Sequence, residues 1–154
     1  MTLVSASCSR ETAVPDGGHG YLTAAVEQDD SFTLITTKAD VTAETPFALK
    51  IYKGSEMVKE ISDHRTLQAE PLQLNCATYK VTAENRAQVD AVFDDPRYYG
   101  ESDVKVLADQ VVNADIKCSL ADGLVAPAFS DDFGTYFTAW SFKVVSGNGT
   151  LVWS

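Results

Sequence analysis

Apolar and polar residues take turns along much of the chain, with the period of two that marks half-buried strands. Phe47, Leu49 and Ile51 face one way, and Leu72, Leu74 and Cys76 repeat the pattern. Tyr79, Val81 and Ala83 alternate with Thr78, Lys80, Thr82 and Glu84. The longest run sets Val112, Ala114, Ile116, Cys118 and Leu120 against Asn113, Asp115, Lys117 and Ser119. Helical periodicity is nearly absent. The pattern predicts an all-β chain.

Turn chemistry separates the runs. Lys53-Gly54-Ser55-Glu56 predicts a hairpin between Ile51 and Val58, and Gly147-Asn148-Gly149 predicts another before Leu151 and Trp153. Asp95-Pro96 and Gly100 bracket an irregular connection that carries Tyr98 and Tyr99. Many short strands at this spacing point to an antiparallel β-sandwich of the immunoglobulin/transthyretin kind. About seven strands fit between residues 20 and 121, enough for one sandwich. Only about three follow, too few to bury both faces of a sheet. Residues 122–154 therefore read as the start of a second, truncated β-sandwich domain.

Composition narrows the partners. An apolar fraction of 45% is that of a packed globular chain. The formal net charge of −10 and the scatter of the 12 basic residues exclude a nucleic-acid partner, since duplex binding needs clustered Lys and Arg. No run approaches the ~20 apolar residues that span a bilayer. The N-terminus carries a different signal. Leu3-Val4-Ser5-Ala6-Ser7-Cys8 ends as bacterial lipoprotein signals end, with small residues before a cysteine that takes the lipid. Its apolar run is too short for a complete signal, so residues upstream of Met1 are expected. The polar Ser9–Gly20 stretch, rich in Gly, Pro and Asp, reads as a tether. Residues 1–19 are thus expected to be a signal remnant, a lipidation site at Cys8 and a flexible tether.

Several blocks together resemble a family of uncharacterised Bacteroidales surface lipoproteins, a domain of unknown function similar in style to fimbrillins. They are Phe47-Ala48-Leu49-Lys50-Ile51-Tyr52 with Gly54 and Val58, Leu74-Asn75-Cys76-Ala77-Thr78-Tyr79-Lys80-Val81-Thr82-Ala83, and Ala91 to Gly100. Ile116 to Ala121 and Phe129 through Leu151 complete the set. Ala77 stands where that family favours glycine, and the chain stops where its members continue. The resemblance implies an exported β-sandwich lipoprotein, anchored by lipid to the outer membrane and displayed at the cell surface. Its role would be structural, adhesive or fimbria-associated. Its partners would be other surface proteins, fimbrial subunits or glycans, and the lipid would be its one link to the membrane.

No constellation for catalysis stands out. Nucleophilic catalysis needs a base beside the nucleophile. His19 lies in the tether and His64 in the polar loop Ser62-Asp63-His64-Arg65, where both read as solvated. No cysteine or histidine pair has zinc spacing, so neither metal nor cofactor is expected. With Cys8 lipidated, Cys76 and Cys118 remain. Both occupy inward positions, which allows either a disulfide or two buried thiols. Asp131 and Asp132 fit the first turn of a short helix capped by Ser130, with Phe133 and Phe137 packing one turn apart. Tyr98 and Tyr99 are the exposed aromatics best placed to touch a ligand such as a glycan, while Trp140 and Trp153 read as core. The expectation is a non-catalytic surface module that binds partners by docking, with a glycan-binding surface module and an accessory fragment of a secreted enzyme as the alternatives.

Overall fold

A computed structural model describes residues 17–29, 45–88, 90–93, 95–123, 125, 127–147 and 149–154. Strands account for 53% of the described residues, so the chain is mostly β. In chain order the elements are β1 (His19–Gln28), β2 (Ala48–Lys53), β3 (Glu56–Ile61), α1 (Thr66–Ala69), β4 (Leu72–Asn75) and β5 (Ala77–Glu84). Then come β6 (Tyr98–Val106), β7 (Val111–Leu120), α2 (Phe133–Tyr136), β8 (Phe142–Ser146) and β9 (Gly149–Trp153).

Seven strands form one curled sheet in the order β3-β2-β5-β6-β7-β1-β4. Both predicted hairpins form. The turn between β2 and β3 uses Gly54 at φ 62°, and β9 begins on Gly149 at φ 136°, backbone shapes that disfavour a Cβ. The expected all-antiparallel order does not hold. β1 runs parallel to β7 over eight pairs, from Tyr21↔Val111 to Gln28↔Cys118. A two-residue alternation is blind to strand direction, because it reports which face a side chain takes and nothing about its neighbour's heading. The sheet is mixed.

One core gathers the inward positions. Leu49, Ile51, Tyr79, Val81, Ala83, Val104 and Val106 come from β2, β5 and β6. Leu22, Ala24, Ala114, Ile116 and Cys118 come from β1 and β7, and Leu67 is added by α1. The two groups of strands meet where β6 and β7 share a ladder of only two pairs, Tyr98↔Leu120 and Tyr99↔Ser119. The next residue, Gly100, lies so near β7 that a Cβ there would stand 2.4 Å from the Lys117 carbonyl oxygen. Beyond it β7 leaves β6 and pairs with β1. Glycine permits that crossing.

Residues 122–154 stay outside the seven strands. β8 and β9 form a two-stranded sheet of their own, and no described residue from 125 to 154 is buried. Trp140 and Trp153, expected in a core, are half-buried: Trp140 packs on Phe129 and Phe133, and Trp153 on Phe93 and Phe142. Phe133 and Phe137 do pack, with ring centroids 4.7 Å apart. The Ser130 hydroxyl donates to the Asp132 carboxylate at 2.6 Å and caps no backbone N–H.

Candidate functional site

The outward side chains of β2, β5 and β6 form a polar, shallow concavity. Register places them in rows: Ala48, Glu84 and Tyr99; Lys50, Thr82 and Glu101; Tyr52, Lys80 and Asp103. The hollow holds about 380 Å³ and is lined by Lys50, Tyr52, Lys80, Thr82, Glu84 and Tyr99, with the Gly54-Ser55 turn as its rim. Its charges are matched internally. Lys50 Nζ donates to Glu84 Oε1 at 2.5 Å, and Arg97 Nη2 donates to Glu84 Oε2 at 3.1 Å. Lys80 Nζ donates to Glu101 Oε1 at 2.8 Å, and the Tyr99 hydroxyl donates to Glu101 Oε2 at 3.1 Å. The Arg97 guanidinium lies over the Tyr99 ring, 5.3 Å from its centroid.

Electrostatics follows from those contacts. Burial pushes the Glu84 carboxyl up, but hydrogen bonds from Lys50 and Arg97 outweigh it and hold the group below its usual range. The hydrogen bond from Lys80 likewise keeps Glu101 below its ordinary value. Burial, and then the bond to Glu101, raises the Tyr99 phenol. The face therefore carries ionised but mutually neutralised groups beside two tyrosines. Such a surface can donate and accept hydrogen bonds without a strong net field. Among the described residues, no three His, Cys, Asp or Glu side chains converge as metal ligands.

A second surface lies past residue 121. Phe129, Phe133, Phe137 and Trp140 form a contiguous aromatic row, with centroids 4.4 Å apart for Phe129–Phe133 and 4.6 Å for Phe129–Trp140. Tyr136 is 74% exposed and Phe137 54%. On the β8–β9 hairpin, Trp153 packs edge-on against Phe93 at 4.9 Å, while Val145 is 67% exposed and Val152 50%.

The sequence-predicted residues divide between core and surface. Tyr98 and Tyr99 are not loop residues: they open β6, where consecutive side chains point to opposite faces. Tyr98 is buried in the core, and only Tyr99 reaches the concavity. Cys76 and Cys118 are both free. Cys118 donates weakly to the Ala83 carbonyl, whereas Cys76 precedes Ala77 at the other end of β5. Six residues of strand separate these points, about 20 Å, against the 4.4–6.8 Å Cα separation that a disulfide requires. Burial drives the Cys118 thiol up to about 12. Cys8 lies outside the described residues.

His64, expected in solvent, is buried. Its ring Nδ1 accepts from the Phe47 N–H at 3.2 Å, and the His64 backbone N–H donates to the Phe47 carbonyl at 2.9 Å. Desolvation lowers its pKa, which keeps the imidazole neutral with Nδ1 bare. His19 is exposed and opens β1 rather than lying in a tether. Lys50, Tyr52, Lys80, Thr82 and Glu84 were not anticipated as a group. Their outward register was visible in the alternation, and the adjacency of β2 and β5 was not.

A family model described as "Domain of unknown function (DUF4493)" matches residues 18–154, running unbroken across positions 121 and 122. Neither a curated protein nor a solved structure matches the chain.

Proposed function

The chain belongs to the family of the domain of unknown function DUF4493, and from that premise we propose a non-catalytic, exported surface lipoprotein that docks onto neighbouring surface subunits. Cys8 carries the lipid that holds it to the outer membrane. Its role is structural and adhesive, of the fimbria-associated kind, and the resemblance to Bacteroidales surface lipoproteins supports that reading. The curled sheet is read as a sandwich of the immunoglobulin/transthyretin type, with β2, β5 and β6 facing β1 and β7 across the core.

One observation carries the docking role: the β8–β9 hairpin and the aromatic row leave Phe129, Tyr136, Phe137, Val145 and Val152 in solvent. A two-stranded sheet is marginal in water on its own and gains most from a third strand. Exposed apolar surface of this kind marks a protein interface. The occupant is an extended strand from a neighbouring exported subunit, hydrogen-bonded to a hairpin edge with alternate side chains on the apolar face.

Two experiments test this. In an outer-membrane host, labelled palmitate is expected on the full chain and absent from Cys8→Ala; label that persists in the variant rejects the anchor. A photo-crosslinking residue at Val152 is expected to give a discrete adduct with another exported surface subunit, and the same residue at Lys117 none. No adduct at Val152, with envelope assembly unaltered in Val145→Asp/Val152→Asp, rejects the docking role.

A further inference from the structure

We propose that the outer face of β2, β5 and β6 is a binding site for a neutral oligosaccharide, laid diagonally from Tyr52 to Tyr99 across Lys80, Thr82 and Glu84. This site shares no element with the C-terminal docking surface, so the two proposals stand or fall separately.

The layout of the face sets the shape of the ligand. Tyr52 and Asp103 share a cross-strand row through Lys80, and Tyr99 lies four residues along β6 from Asp103. Two strand spacings and four residue rises put the tyrosine backbones roughly 16 Å apart. A single sugar ring cannot touch both, whereas a chain of several rings can. Between them lie the Lys80 ammonium, the Thr82 hydroxyl and the Glu84 carboxylate, donors and acceptors in the mixture that a row of ring hydroxyls presents. The Gly54-Ser55 turn bounds the Tyr52 end.

The pairing of charges sets the ligand's charge. Lys50 and Arg97 already share Glu84, and Lys80 already holds Glu101. An anionic ligand would have to break those pairs on a chain whose net charge is −10. A neutral polyol needs no such exchange, because each paired group keeps hydrogen-bonding capacity for a hydroxyl. The aromatic partners are held in advance. Tyr99 is fixed by its bond to Glu101 and by the guanidinium over its ring. Tyrosine supplies an apolar ring face with a polar rim, and a ring already fixed loses little freedom on binding.

The test titrates the full chain with neutral hexasaccharides of glucose, xylose, mannose and galactose, and with hexagalacturonate as the acidic arm. At least one neutral hexasaccharide is expected to bind, with its monosaccharide about tenfold or more weaker. Added salt should leave that binding unchanged, since no net charge is neutralised. Tyr52→Ala should weaken it about tenfold. Tyr52 is half-buried on the outer face, so its loss spares the core, and an unchanged unfolding midpoint confirms that. Silence from all four neutral sugars overturns the proposal. So does a preference for hexagalacturonate, or neutral-sugar binding that survives Tyr52→Ala.

Discussion

Placing a methyl group at residue 100 puts the strand crossing to a direct test. Gly100 lies in the ordinary region of backbone space, so Gly100→Ala introduces no torsional penalty there. On φ and ψ alone the change would stabilise the fold by about 0.4–1 kcal/mol, by narrowing the unfolded ensemble. Sterics run the other way. The new Cβ would stand 2.4 Å from the Lys117 oxygen, 2.9 Å from its carbonyl carbon and 3.0 Å from Cys118 Sγ. A relaxed carbon–oxygen contact is about 3.3 Å, so β6 and β7 would have to part by roughly 0.9 Å. Lys117 is also held in the parallel ladder opposite Glu27, and it cannot retreat without disturbing β1. Overpacking of this kind costs about 1–3 kcal/mol, and a backbone obstacle puts it at the upper end. The net expectation is a loss of about 2 kcal/mol, or a fall in Tm of about 4–8 °C for a chain of this size. Thermal and urea unfolding followed by circular dichroism measure it. Gly134→Ala in α2, where a Cβ meets nothing within 4 Å, serves as the control and should be neutral or slightly stabilising. A Gly100→Ala chain as stable as wild type would mean that the strands do not cross where described.

Other expectations concern buried groups. His64 has a folded pKa below its unfolded value, so the unfolded chain binds the proton more readily. Stability should therefore be complete above about pH 6.5 and fall as pH drops from there through the folded pKa. The urea midpoint of wild type should show this slope while His64→Gln does not, and parallel profiles would refute it. In a Cys8→Ser background, Ellman titration should find one reactive thiol in the native chain, at half-buried Cys76, and two in denaturant. Prompt reaction of both in the native state would contradict the burial of Cys118. Glu84→Gln should cost about 1–3 kcal/mol, because it strips the carboxylate from Arg97, whose Nε is the one buried side-chain polar atom without a hydrogen-bond partner among the described residues. Restoration of full stability by raising salt would show the Arg97–Glu84 pair to be a screened surface contact.

What the sequence disclosed was the face of each residue, and what it withheld was the neighbour. β2 and β7 were legible because each buries one side only, so Leu49, Ile51 and Ile116 alternate with less buried neighbours, whereas β5 alternates in sequence yet buries Thr82 and Glu84 along with Val81 and Ala83. Glycine turns marked both hairpins. The parallel pairing of β1 with β7 left no trace, since antiparallel and parallel strands bury side chains alike. His64 was misread because its partner, the Phe47 N–H, lies 17 residues upstream and comes near only when the β2–β3 hairpin folds back. The tyrosine pair carries its own constraint. Two adjacent residues of a strand cannot face the same side, so either Tyr98 or Tyr99 had to turn inward once β6 was placed there. The concavity combines outward positions from strands more than 30 residues apart, and only the ladder order brings Lys50 beside Glu84.

The ladder between β1 and β7 also sets a timetable for biosynthesis. Thr23 and the Asn113 it bonds lie 90 positions apart. A chain made at roughly 5–20 residues per second thus leaves β1 without its β7 partner for about 5–20 s, with only the short β4 ladder along its other edge. Over that interval Ala24 lacks its partner Ala114, and a nascent chain halted before Val111 lacks Ala114, Ile116 and Cys118 of the core. Such late closure makes for slow folding, and it leaves the growing polypeptide threadable until β7 has been made.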